Sequence, residues 1–401
     1  MKTILCLLFI LGYRTTFAET LKHTVTLEEF LSNVTASNLD LKISQAKSEA
    51  ADSRSTGINI PPPMVGFSQF KENPGSTTSG FEVSQTIPFP TKLAGDHSAR
   101  KYEAQMEEEN RRGLQKQTLA QGKLIYFSVW QSQERLEILQ EKKEVLKDHI
   151  KLSKSAARSD SFAAIHVLKA ESELDLLENE IESARQKSRE TQIDAALFIN
   201  TEAAHFTLIA VDPKLSTIPK LNSSDETHQV RALKFQLESL KEKEFEAKSS
   251  WLPDFNLRYK EMAATSTSSK YNELMVGITL PFVFFWEPYS TSSSAAKSRL
   301  AGEYEFEKQK RIIDSDKVVL LSRAESLKKQ IENLNNKLIP RAEKRMKLVH
   351  NLAPRDMETI QDHRETMEAF PDLKLKSLDL RMDFELTVTN LEKYAINKDD
   401  R

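Results

Sequence analysis

The chain has 401 residues, of which 29% are charged and 39% hydrophobic, with only 10 glycines. That composition suits long helices and argues against an all-β or doubly wound α/β protein. The 57 basic and 59 acidic residues leave a formal charge of −2, without the basic excess of a nucleic-acid-binding surface, so no nucleic-acid partner is expected.

Residues 1–18 read as a signal peptide. Lys2 precedes the apolar run Ile4–Gly12, and Thr16, Phe17 and Ala18 follow. A charged start, a short apolar core and small residues before the cut predict export and cleavage after Ala18. The apolar run is too short to cross a membrane as a helix. The single cysteine, Cys6, lies inside this segment, so no disulfide, thiol chemistry or lipidated cysteine is expected in the mature chain. An exported chain without a spanning helix is periplasmic, secreted, or part of an outer-membrane β-barrel.

A helical pattern covers about 27–57 and is stopped by Pro61–Pro63. Strand patterns follow at about 64–71 (MVGFSQFK) and 80–88 (GFEVSQTIP), joined by the turn-rich ENPGSTTS. A long helix is predicted over about 92–156, then a polar break near 157–162, then a second helix to about Asn200. The order then repeats. A helix over about 226–250 ends at Trp251-Leu252-Pro253, and strands occupy about 254–263 (DFNLRYKEMA) and 272–281 (NELMVGITLP). A long helix follows over about 294–350, a break at 351–355, and a last helix to about Tyr394. The prolines Pro63 and Pro253, and likewise Pro88 and Pro281, are about 190 residues apart, which predicts an internal duplication with repeats at 19–210 and 211–401.

The helices carry narrow apolar seams. Ala170, Leu174, Leu177, Ile181 and Ala184 follow a 4-3-4-3 spacing, and Ala324, Leu327, Ile331, Leu334 and Leu338 the same alternation begun on the 3, 3-4-3-4. Such seams are those of coiled coils. A sixty-residue helix is roughly 90 Å long, too long for one globular core, so the helices are expected to pack against each other lengthwise.

The strands alternate. Phe81, Val83 and Ile87 oppose Glu82, Ser84 and Thr86. Phe255, Leu257 and Tyr259 oppose Asn256, Arg258 and Lys260. Leu274, Val276, Ile278 and Leu280 oppose Glu273, Gly277 and Thr279. Each run has the length that crosses an outer membrane at a tilt, with one face for lipid and one for water. Phe282, Phe284, Phe285 and Trp286 cluster where the fourth strand ends, and Phe89 takes the matching place after the second. These are candidate membrane-interface aromatics in contact with outer-membrane lipid. Four strands cannot close a barrel, because membrane barrels need at least about eight and open edges are not tolerated in lipid. Several chains must therefore share one barrel, three giving twelve strands or four giving sixteen. The competing reading is a periplasmic coiled-coil scaffold or adaptor without a membrane barrel.

No catalytic constellation is present. The eight histidines show no metal-ligand spacing. There is no phosphate-binding loop, nucleophile elbow or zinc-binding helix motif. No enzyme activity, cofactor or resident metal is expected.

The doubled order of helix, two strands and long helices behind a signal peptide resembles the TolC family of outer-membrane efflux proteins. The stretches that carry the resemblance are Asn38-Leu39, SQTIPFPTKL, WLPDFNL, LIPRAEKRMKLV and HVLKAESEL, where His166 stands in place of the family's usual Asp. The IPFP-then-Lys stretch is similar to the heavy-metal efflux branch. The resemblance covers nearly the whole mature chain. It implies a mainly α fold with a small membrane β part: long coiled helical hairpins forming a tunnel, and four strands per chain in a trimeric twelve-stranded barrel. It implies an exit duct of a tripartite efflux or type I secretion system, a homotrimer working with an inner-membrane pump through a periplasmic adaptor (membrane fusion protein). It further implies adaptor-facing tips at Arg158, Asp160 and Ser161 and at Ala353 and Pro354. Asp160 and Ala353 fall where the family usually has glycine. Arg355 and Asp362 match family positions at a tunnel gate, with Glu358 beside the position where Thr359 replaces a second family Asp.

Overall fold

The computed structural model describes residues 23–71, 77–156, 161–202, 206–220, 226–264, 269–350 and 357–395. Residues 1–18, the predicted signal peptide, lie outside these residues. The chain folds mainly as helices. In order, the elements are β1 (His23–Val25), α1 (Leu27–Ser37), α2 (Leu39–Ser55), β2 (Met64–Lys71), β3 (Thr77–Ile87), α3 (Pro90–Ala156), α4 (Ser161–Phe198), β4 (Leu208–Ala210), α5 (His228–Lys248), β5 (Phe255–Met262), β6 (Tyr271–Ile278), α6 (Trp286–Asn333), α7 (Ile339–His350) and α8 (Met357–Glu392). The described residues fall into two compact units. One lies within Met1–Asn38, Gln121–Ser216 and Ser326–Leu386, the other within Leu39–Ala120, Thr217–Glu325 and Thr387–Arg401.

In the first unit, α1 opens on a capping box. The Thr26 side chain accepts from the Glu29 N–H, and the Glu29 carboxylate accepts from the Thr26 N–H at 2.9 Å, which satisfies two orphan donors of the first turn. The single helix predicted over 27–57 is in fact two, because Asn38 takes an extended conformation after α1. Its side-chain amide donates to the Phe198 carbonyl at 3.0 Å, a bond that an uninterrupted helix would not offer. Phe30 and Val34 of α1 pack with Tyr126, Val129, Ala195, Ile199 and Leu208. A parallel pair formed by β1 and β4 lies against this cluster. Sequence reasoning missed both strands, which are three residues each. Gln192 and Gln133 hold β4 from two helices: Gln192 receives the Leu208 N–H at 2.8 Å, and Gln133 receives the Ala210 N–H at 3.1 Å.

The predicted seam of α4 is buried. Ala170, Leu177, Ile181 and Ala184 meet Leu139, Leu146 and Ile150 of α3, with half-buried Leu174 beside them. The seam of α6 holds for Ala324, Leu327, Ile331 and Leu334 but fails at Leu338, which is 39% exposed. A π-helical turn spans Leu334–Leu338 and rotates the following residues out of register. Pro340 explains the turn. It offers no N–H to the carbonyl four residues earlier and its ring crowds that carbonyl, so the helix widens just before it.

In the second unit, β2, β3, β5 and β6 form one antiparallel sheet in that spatial order. β2 occupies its predicted bounds. β3 starts three residues earlier than expected, at Thr77, and β6 ends three residues earlier, at Ile278. A 3₁₀ turn, Pro281–Phe284, follows β6, and α6 begins at Trp286 rather than near 294. Pro288 sits in the first turn of α6, where a missing N–H costs nothing. For the same reason α3 begins at Pro90, two residues before Lys92. Gly95 of α3 faces α5 so closely that an added Cβ would meet the Glu246 backbone nitrogen at 3.1 Å and the Glu242 carbonyl oxygen at 3.2 Å. Tyr102 of α3 stacks on Phe235 of α5 with ring centroids 6.5 Å apart.

Candidate functional site: a two-faced sheet and its helix junctions

The strand register collects the alternating residues onto two faces. Val65 pairs with Val83, Val83 with Tyr259, and Tyr259 with Leu274; the next row on this face joins Gln85, Leu257 and Val276, and the one after it Ile87, Phe255 and Ile278. Phe67 and Phe81 also pair, and the Phe81 and Tyr259 rings lie 6.0 Å apart. This apolar face is exposed, with Phe67 at 77% and Val276 at 69%. Opposite it, Glu82 lies directly beside Lys260, which lies beside Glu273. Arg258 Nη2 reaches Glu82 Oε2 at 2.6 Å, and the Asn256 amide donates to Thr86 Oγ1 at 3.2 Å. One face is thus mainly apolar, with Gln85 and Glu261 as its polar members in β3 and β5, and the other carries a ladder of cross-strand charge pairs that needs water or polar neighbours. Gly80 keeps β3 and β5 together where a Cβ would stand 2.1 Å from the Glu261 carbonyl oxygen.

Among the described residues, β2 and β6 are each paired on one side only. They run antiparallel to each other, because each successive pair in the sheet is antiparallel. A β6 edge can therefore dock on a β2 edge of another copy and continue the same hydrogen-bonding pattern.

Two strand-to-helix junctions meet at one residue that sequence reasoning missed, one through its carboxylate and the other through its backbone. Asp254 Oδ1 accepts from the Phe89 N–H at 3.0 Å and from Lys92 Nζ at 2.8 Å. The Asp254 N–H donates to Thr279 Oγ1 at 2.7 Å, and its carbonyl accepts from the Thr279 N–H at 2.9 Å. The WLPDFNL stretch holds this residue, but no local pattern marks its partners.

The predicted aromatics separate into two groups. Phe89 is half-buried and stacks on Phe255, with ring centroids 6.2 Å apart. Phe282, Phe284, Phe285 and Trp286 are all exposed by more than half. Trp286 makes edge-on contacts with Phe284 at 5.4 Å and with Phe285 at 5.5 Å. The second junction thus carries an exposed aromatic ribbon and the first a single packed ring.

Of the tip and gate candidates, Arg158, Asp160, Ala353, Pro354 and Arg355 lie outside the described residues. Ser161 opens α4, Glu358 lies in the first turn of α8, and Asp362 stands exposed on α8. Near these helix ends lies a buried group the sequence did not single out. His149 of α3 is 6% exposed, with Nε2 3.3 Å from Ser153 Oγ. Close to it, Arg364 of α8 pairs with Glu173 of α4 at 2.6 Å. Burial, and then the positive charge of Arg364, hold the His149 imidazole down at about 4. Glu368 of α8 is pushed up, chiefly by burial.

No family model matches the chain, and no curated protein matches it. Solved structures match it along nearly its whole length. The outer-membrane channel OprN superposes with a TM-score of 0.76 at 13% identity, covering 92% of this chain and 89% of that one. CusC, whose structures describe folding and transmembrane channel formation, gives 0.75 at 12% identity, covering 91% and 90%. The Campylobacter jejuni outer membrane channel CmeC gives 0.77 at 12% identity, covering 92% and 85%. The chain thus has the fold of outer-membrane channel proteins, mainly helical with a small β part, as the resemblance to the TolC family implies for a single chain.

Proposed function

We propose that the chain is one subunit of a TolC-family outer-membrane exit duct, a passive conduit for efflux or secretion rather than an enzyme. The observation that carries this reading is the four-stranded sheet with an exposed apolar face, a charged opposite face and two complementary open edges. A bilayer covers the apolar face, and water in a lumen hydrates the charges. The open edges require neighbouring copies, because lipid offers the backbone no partners. Three copies supply twelve strands, as the family resemblance implies; each contributes one repeat-doubled chain, with its long helices forming a tunnel in the periplasm. The signal peptide accounts for delivery. The aromatic ribbon at Phe282–Trp286, with Phe89, then sits at the membrane–water boundary. An inner-membrane pump, reached through a periplasmic adaptor at the tips around Arg158–Ser161 and Ala353–Pro354, drives the cargo. Arg355, with Glu358 and Asp362, guards the mouth of the tunnel.

The competing scaffold reading leaves the apolar sheet face facing water and the two edges unmatched. Fractionation of cells expressing the chain decides between them. Heat-resistant oligomers in the outer membrane that form ion-conducting pores in planar bilayers support the duct. A monomer in the soluble periplasmic fraction, without pore activity, overturns it.

A further inference from the structure

The segment between β3 and α3 is poor in hydrogen-bond donors. Pro88 and Pro90 have no N–H, so Phe89 supplies the only backbone donor between Ile87 and Thr91. That donor goes to Asp254, the residue just before β5. The start of α3 also carries a positive helix-dipole end and a first-turn Lys92, with no acidic residue of its own in that turn. Both features favour a nearby negative charge. α6 differs, since Glu287 stands in its first turn. Asp254 supplies to α3 what α6 provides for itself, and its backbone is locked to Thr279 on the β6 side. With Pro63 matched to Pro253, the equivalent point of the first repeat is Met64, so this carboxylate occurs once per chain.

We propose that Asp254 is a positioning residue that fixes where α3 leaves the sheet, and so sets the bore of the conduit at the foot of the barrel. The inference rests on the duct reading above and assigns the control of its width at that level to one charge-assisted cluster. In a closed assembly every subunit repeats the cluster, so its loss frees all the α3 starts at once.

The test uses the full-length protein purified as its oligomer. Variants Asp254→Asn, Asp254→Ala and Lys92→Met are compared with the parent by single-channel recording, with heat-resistant oligomer as a check on assembly. Asp254→Asn keeps an acceptor for Phe89 but removes the charge, so it is the variant expected to assemble even where Asp254→Ala fails. Parent channels show one conductance level. Asp254→Asn shows a shifted or split level, and adding Lys92→Met to it partly restores the parent level by removing the uncompensated cation. Trypsin cleavage after Lys92 reads the same contact directly: loss of a charge-assisted bond raises local opening, and hence cleavage, about tenfold or more in Asp254→Asn. If assembled Asp254→Asn channels have the parent conductance and show no rescue with Lys92→Met, the inference falls while the duct reading stands. If the parent itself forms no pore, the duct reading falls and takes this inference with it.

Discussion

At the scale of single residues, the two positions that sequence patterns undervalue are Gly80 and His149. Gly80 sits mid-strand, where glycine ordinarily weakens a sheet, yet the Glu261 carbonyl leaves no room for a side chain. Gly80→Val is expected to displace β5 and abolish heat-resistant oligomers on denaturing gels, whereas Gly66→Val, at an open position, is expected to leave them intact. His149 makes a pH prediction. Its folded value of about 4 lies below the ordinary 6.5, so the unfolded chain takes up the proton first as pH falls. Its contribution is complete above about pH 6.5, declines between 6.5 and 4, and levels off below 4, with an upper bound of roughly 3 kcal/mol. Glu368 acts with the opposite sign, since a raised carboxyl loses stability as pH rises past its ordinary value. His149→Gln is expected to flatten the acid limb of a melting-temperature profile between pH 6.5 and 4. An unchanged acid limb refutes the assignment.

Among the elements, local rules worked where neighbours in sequence are neighbours in space. The 4-3 spacing located the α4 seam, and truncating it with Leu177→Ala is expected to cost about 2–5 kcal/mol, read as a lower dissociation temperature of the oligomer. The same spacing failed at Leu338, because Pro340 imposes a π turn that the heptad count does not include. β1 and β4 were invisible for a different reason. Three-residue strands have no detectable period, and β4 owes its place to Gln133, Gln192 and Tyr126 on the long helices. The Tyr126 hydroxyl donates its one hydrogen to the Val25 carbonyl at 2.8 Å, with the Val211 carbonyl 3.1 Å away, and accepts from the Val211 N–H at 2.9 Å. Tyr126→Phe therefore leaves buried backbone groups unpaired and is expected to destabilise this region by about 1–3 kcal/mol. Faster hydrogen exchange confined to residues 208–211 checks it.

For the whole molecule, the decisive feature is that the described residues of one chain leave both outer strands of the sheet paired on one side only. Two open edges and an exposed apolar face are tolerable in water only at the cost of aggregation, and in lipid only in a closed ring. The gate proposal belongs at this scale too, since a mouth is lined by all subunits together. Arg355→Ala is expected to raise single-channel conductance several-fold if Arg355 holds the mouth shut through acidic groups of a neighbouring helix, because a like-charged acidic ring then opens by self-repulsion. Unchanged conductance in both Arg355→Ala and Asp362→Ala removes the gate.

The sequence by itself determined the helices, the alternation of the four long strands and the proline-marked junctions, because each is dictated by steric and hydrophobic preferences among residues a few positions apart. Only the tertiary structure decided that β3 pairs with β5, which puts Glu82, Arg258 and Lys260 on one face and Val83, Leu257 and Tyr259 on the other. It alone also brought Asp254 to Phe89 and Lys92, about 160 residues away in the chain. Hydrogen bonds and register across such separations leave no periodic trace, since any acceptor of the right length at that point in space would serve, and the chain's local pattern does not say which residue arrives there.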